Sequence, residues 1–127
     1  MRRRVAFVLG LLLASAAQAQ DFPFDRDLVL DARPMRSGKR VPVLTIDASG
    51  AAQIDLWCKR GSGQAVIAGD TITIIVRTMS DEGCTPERAQ ADEQLILALS
   101  QVTTWSLRGD AVTFNGGTTL RFRAASH

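Results

Sequence analysis

Along most of the chain apolar and polar residues alternate with a period of two, and one stretch breaks that rhythm. In VPVLTIDASGAAQIDLWC, Leu44 and Ile46 share one face, Ser49-Gly50 makes a reversal, and Ile54, Leu56 and Cys58 share a face of the return run. This predicts a hairpin with one buried side. On that register Trp57 points away from Cys58, beside Gln53 and Asp55. We read it as a residue covered by a neighbouring segment, with a ligand platform as the alternative. RGSGQ, Arg60 to Gln64, reads as a hairpin loop. Ala65 to Ala68 and Thr71 to Thr78 then read as β-rich runs around a Gly69-Asp70 turn. The same order of apolar residue, Gly-Asp, apolar, Thr, apolar returns at Gly109-Asp110, predicting a second, matching hairpin. Asn115-Gly116-Gly117 is a further turn signal, with Leu120 and Phe122 continuing an inward face.

The exception to the period of two begins at Thr85-Pro86-Glu87. A threonine hydroxyl can accept from a free first-turn amide, proline at the first helical position loses no hydrogen bond, and glutamate suits the positive end of the helix dipole. Ala91, Leu95, Ala98, Leu99 and Val102 recur at three- and four-residue spacing, so a helix is expected over about 86–101 with that stripe packed on a sheet. Arg88, Gln90, Asp92, Glu93, Gln94 and Gln101 are expected to face water. At the other end Leu28 and Leu30 alternate with Val29 and Asp31, which predicts a first, edge-like strand after a tail over 20–27. The polar run from Arg33 to Arg40, with Pro34 and Gly38, reads as a loop. The fold expected is α+β and mainly antiparallel β. Seven or eight strands form a curved sheet or half-open barrel with one helix packed on it, in a single domain over 28–124.

The first 19 residues change the charge argument. Arg2, Arg3 and Arg4 precede an apolar run from Val5 to Ala17, and Ala17-Gln18-Ala19 is an Ala-x-Ala cleavage site. We expect a signal peptide over 1–19, cut after Ala19, and a periplasmic or secreted protein. The apolar run is shorter than the roughly 20 residues a spanning helix needs, so no membrane span is expected after cleavage. Cleavage removes three arginines, so the 15 basic residues fall to 12 against 13 acids, and the net charge moves from +2 to about −1. The pI of 8.9 belongs to the precursor and is no nucleic-acid footprint. Export delivers Cys58 and Cys84, the only two cysteines, to an oxidising compartment. A disulfide between them is the default expectation and two buried free thiols the alternative.

From Thr78 to Arg123 the order of residues resembles the META domain family, small β-rich domains of secreted bacterial proteins. The positions carrying the resemblance are Thr78 and Met79, Cys84, Pro86, Glu93, Ala98-Leu99, Val102, Gly109-Asp110, and Leu120 with Phe122. The first half departs from it. Trp57-Cys58-Lys59 stands in place of the family's Gly-Cys-Asn, and FPFDRDLVLDARPM replaces its opening strand. The resemblance implies a periplasmic or membrane-associated domain associated with stress response, drug tolerance, secretion or motility, without an assigned reaction.

The sequence offers few groups for chemistry. A hydrolytic triad wants a base beside its nucleophile, and the one histidine is the final residue, His127. Asp81-Glu82 and Asp92-Glu93 read as solvated charge, RGSGQ lacks the lysine-serine continuation of a phosphate loop, and the two cysteines with one histidine are too few for a structural metal site. We expect no catalytic residue, no metal, no cofactor, no nucleic-acid partner and a monomer. The function expected is a non-enzymatic accessory or binding module of the cell envelope, contacting a protein or small ligand. The alternative is a small periplasmic inhibitor of a protease or lysozyme, with Arg36, Lys39 and Arg40 as its partner-binding loop.

Overall fold

The alternating runs become eight strands in a computed structural model that describes residues 21–35, 38, 40–80 and 83–126. They are β1 (Leu28–Leu30), β2 (Val43–Ile46), β3 (Ala51–Asp55), β4 (Arg60–Ala68), β5 (Thr71–Met79), β6 (Thr104–Arg108), β7 (Ala111–Asn115) and β8 (Leu120–Ala124), with one helix, α1 (Pro86–Ser100), between β5 and β6. The expected signal peptide and its cleavage site, together with Arg36, Lys39 and His127, lie outside the described residues. Among the described residues no helix is long and apolar enough to cross a membrane.

Each strand pairs antiparallel with the next, and β8 returns to β1, so the sheet closes into a barrel. The edge-like first strand is therefore no edge: Leu28 lies opposite both Leu44 and Ala124, and Leu30 opposite Phe122. Arg26 clasps the join, its Nε donating to the Ala125 carbonyl at 2.9 Å. The two Gly-Asp pairs close two-residue loops, with Gly69 at φ +60° and Gly109 at φ +64°, a region glycine enters without a Cβ penalty. RGSGQ belongs to β4 instead of forming a loop. Its glycines serve close approach: a Cβ on Gly61 would overlap the Thr78 carbonyl, one on Gly63 would overlap that of Ile75, and the register shifts at Ser62/Gly63.

The inward row fills the lumen. Leu28, Leu44, Ile46, Ile54, Leu56, Ile72, Ile74, Val112 and Phe114 are all essentially inaccessible to solvent, as expected for eight strands whose interior is just wide enough for side chains. The two ends are plugged by different devices. Phe22, in the segment read from sequence as a tail, is buried; its ring meets Trp105 edge-on at 5.1 Å and stacks on Phe114 at 6.5 Å. Trp105 in turn donates its indole N–H to the Gly69 carbonyl at the β4–β5 turn. At this same end the β2–β3 turn is built on Asp47, which accepts from the Ser49 hydroxyl at 2.6 Å and from the Ser49 and Ala51 amides. The Ser49 hydroxyl, then the Ala51 amide, hold the Asp47 carboxyl below the usual carboxylate range.

The opposite end belongs to α1. Antiparallel alternation puts the β1–β2, β3–β4, β5–β6 and β7–β8 connections there, and the helix is itself the β5–β6 connection. Thr85 caps it by accepting from the Arg88 amide, with Pro86 in the first turn as the sequence predicts. Its inner face buries Leu95, Ala98 and Leu99, continued by Val102. Near its middle it touches the β3–β4 connection through Asp92, and at its end a Cβ on Gly116 would overlap the Gln101 carbonyl. Those two connections are diametrically placed in an eight-strand ring, so α1 crosses the whole opening.

Candidate functional site

The β3–β4 connection is four residues, Leu56 to Lys59, folded tightly enough that the Leu56 amide donates to the Lys59 carbonyl at 2.8 Å. Such a turn leaves its remaining amides pointing one way, and here they meet a carboxylate. Asp92 of α1 accepts from the Trp57 amide at 2.7 Å and the Lys59 amide at 2.8 Å, while the Cys58 amide is shared between its oxygens at 3.3 and 3.2 Å. The side chain is fully buried. This corrects the expectation that Asp92 is solvated charge on the wet side of the helix. A buried carboxylate costs several kcal/mol unless hydrogen-bonded, and three backbone donors offset that cost here. The signal was present in the sequence: Asp92, Leu95, Leu99 and Val102 fall at three-, seven- and ten-residue offsets, a single helical face.

A covalent link reinforces the same turn. Cys58 and Cys84 form a disulfide with Cα atoms 5.9 Å apart, tying the β3–β4 connection to the segment that enters α1. The two sulfurs and one Asp92 oxygen lie within 4.8 Å of one another. Because the sulfurs are bonded to each other and the carboxylate is turned to backbone amides, this cluster is a structural staple.

The staple positions Trp57. Its side chain is half-buried and stands at one end of an open groove of about 570 Å³. One wall is α1, through Ala91, Leu95, Leu97 and Ala98, and the other is Leu30, Met35 and Leu120 from the β1 and β8 side. Leu97 is 57% exposed on the outer side of this wall. Among the described residues the lining is uncharged, the polar contributions being Gln94, Gln101 and Thr118. Of the basic loop residues expected to contact a partner, Arg40 is described. Its guanidinium reaches across to the β3–β4 connection, Nη2 lying 3.5 Å from the Lys59 carbonyl. Sequence reasoning placed Trp57 and Arg40 in separate elements; the fold brings both to one turn.

Three comparisons bear on this arrangement. The sequence model of the META domain matches residues 25–127. No curated protein matches the chain. Among solved structures, an NMR structure of a protein from Burkholderia xenovorans is similar at 20% identity with a TM-score of 0.65, over 94% of this chain and all of that one. A second NMR structure is similar at 17% identity and a TM-score of 0.59, over 78% of this chain and 88% of that one. At these identities the likeness is one of fold.

Proposed function

The chain belongs to the META domain family, and from that premise we propose that it is an exported, non-enzymatic binding module of the cell envelope that holds its ligand against α1. The observation that carries the reading is the groove itself. A barrel whose lumen is filled by side chains has no interior site to offer, and the cleft beside Trp57 and Leu97, lined among the described residues by uncharged side chains, has the size and lining of a small-molecule or peptide site. Export is supported by the arginine-rich start, the apolar run and Ala17-Gln18-Ala19. A binding role is also supported by the rigidity of the Trp57 turn, held by Asp92 and the disulfide. A link to envelope stress is carried by the family resemblance alone.

The test is a photo-crosslinking residue placed at Leu97 and, separately, at Val66, which is equally exposed on β4 across the barrel. In cells exporting the protein, a discrete adduct from position 97, lost with Trp57→Ala and absent from position 66, supports the reading. The same adducts from both positions, or none from position 97, overturn it. An adduct to a hydrolase that depends on Arg36, Lys39 and Arg40 and not on Trp57 favours the inhibitor reading.

A further inference from the structure

We propose that Asp92 guards the Cys58–Cys84 disulfide against thiol exchange, its charge penalising the thiolate that must leave from Cys58 when an attacking thiolate enters at Cys84. Exchange begins when a thiolate attacks one sulfur and forms a mixed disulfide with it, while the electron pair of the broken bond leaves on the other cysteine as a thiolate. A second thiolate then takes the bound reagent off as a free disulfide and releases the remaining cysteine as a thiolate. Two first steps are open to this bond, and the structure obstructs each in its own way. Cys58 is 8% exposed, so an incoming thiolate has little access to its sulfur. Cys84 is more open, standing between the exposed Gly83 and the helix cap Thr85. Attack at Cys84 is the accessible route, and it places a full negative charge on Cys58.

That charge forms beside one already present. Asp92 is fully buried and has an oxygen within 4.8 Å of both sulfurs. Among the described residues every hydrogen bond it receives comes from an N–H, those of Trp57, Cys58 and Lys59, as a carboxylate acceptor requires. The amides stabilise the carboxylate without cancelling its net charge, and being engaged by it they are not free to stabilise a thiolate on Cys58. Two anions this close and this far from water repel, and a thiol whose ionisation is disfavoured leaves slowly. Exchange-active cysteines have the opposite surroundings, a cation or a helix N-terminus beside the sulfur. Lys59, the cation next in the chain, is part-exposed, so water and salt screen it. Cys84 does stand just before α1, but charge reaches its sulfur only through attack at the buried Cys58. The staple is thereby kept shut kinetically, and the Trp57 turn holds its form where an unguarded bond would open.

The experiment follows reduction of the purified oxidised protein by dithiothreitol without denaturant, read by thiol labelling. We expect a rate proportional to thiol concentration and about tenfold faster in Asp92→Asn, which keeps the size of the side chain and one acceptor oxygen while removing the charge. Phe22→Ala, for which a comparable loss of stability is expected at the far end of the barrel, separates local exchange from global unfolding and should accelerate far less. A wild-type measurement frees the result from any variant's folding. At equal thiolate concentration and low salt, cysteamine, which carries a cation, should reduce the bond at least about threefold faster than mercaptoethanesulfonate, which carries a second anion. Asp92→Asn should shrink that ratio, and Glu93→Gln should leave it. An Asp92→Asn rate within about threefold of wild type, a Phe22→Ala rate equal to it, equal rates for the two charged thiols, or a ratio that follows Glu93 instead of Asp92 overturns the proposal.

Discussion

Replacing Asp92 with alanine is the perturbation that most directly tests how the Trp57 turn is held. The wild-type side chain is fully buried and serves the backbone amides of Trp57, Cys58 and Lys59. A hydrogen bond to a charged group contributes about 1.5–3 kcal/mol net, and each buried donor left without a partner costs about 1–3 kcal/mol. Full loss of three such bonds would approach 5–9 kcal/mol on that scale. Two features reduce it: the Cys58 amide is split between both oxygens at more than 3 Å, and a truncated side chain leaves room for water to serve the amides. We therefore expect Asp92→Ala to destabilise by about 3–5 kcal/mol, roughly a fifth or more of the ~5–15 kcal/mol typical of a domain. With a urea slope near 1.5 kcal/mol per molar, the midpoint should fall by about 2–3 M with the slope unchanged. The assay is equilibrium urea unfolding of the oxidised protein by tryptophan fluorescence, with Glu93→Ala as the exposed neighbour expected within about 0.5 kcal/mol of wild type. An Asp92→Ala midpoint indistinguishable from that of Glu93→Ala would refute the assignment of Asp92 as the anchor of the β3–β4 connection.

Three further expectations follow from the same structure. Reducing the Cys58–Cys84 disulfide, which closes a span of 26 residues, should cost roughly 3–4 kcal/mol, read as the difference in urea midpoint with and without dithiothreitol; equal midpoints would deny the staple its role. Phe22→Ala should cost about 3–4 kcal/mol in the same assay, because Phe22 plugs one end of the barrel against Trp105 and Phe114; a change under about 1 kcal/mol would return the N-terminal segment to the status of a tail. Asp47 has a folded value depressed below 3.8, so its contribution is full above the unfolded value and is lost as pH falls through the folded one. The stability gap between wild type and Asp47→Ala should therefore be wider near pH 6 than near pH 2, and a gap independent of pH would contradict the hydrogen-bonded carboxylate.

Local chemistry made much of the barrel readable. Thr85-Pro86-Glu87 announced α1, the two Gly-Asp pairs announced their hairpins, and period-two alternation placed Ile54, Leu120 and Phe122 inward. What escaped is what depends on partners distant in the chain. Closure needs β1 to meet β8, and nothing within Leu28–Leu30 distinguishes a strand paired on one side from one paired on both. Gly61 and Gly63 read as a loop because glycine marks turns and close backbone approaches alike, and only the Thr78 and Ile75 carbonyls decide between them. Asp92 was lost to a rule that sends charge to solvent, although its place in the buried stripe said otherwise. The groove was illegible for the same reason: Trp57, Leu97 and Leu120 belong to three elements that only the closed barrel brings together.

The pairing of the first strand with the last also sets a timetable. Leu28 cannot find Ala124, nor Arg26 the Ala125 carbonyl, until the C-terminal residues have been made available. Contacts between the two ends of a chain carry the largest loop-closure cost and place such topologies among the slower folders. A chain synthesised N-terminus first thus cannot close its barrel until the β8 residues are present to pair with β1.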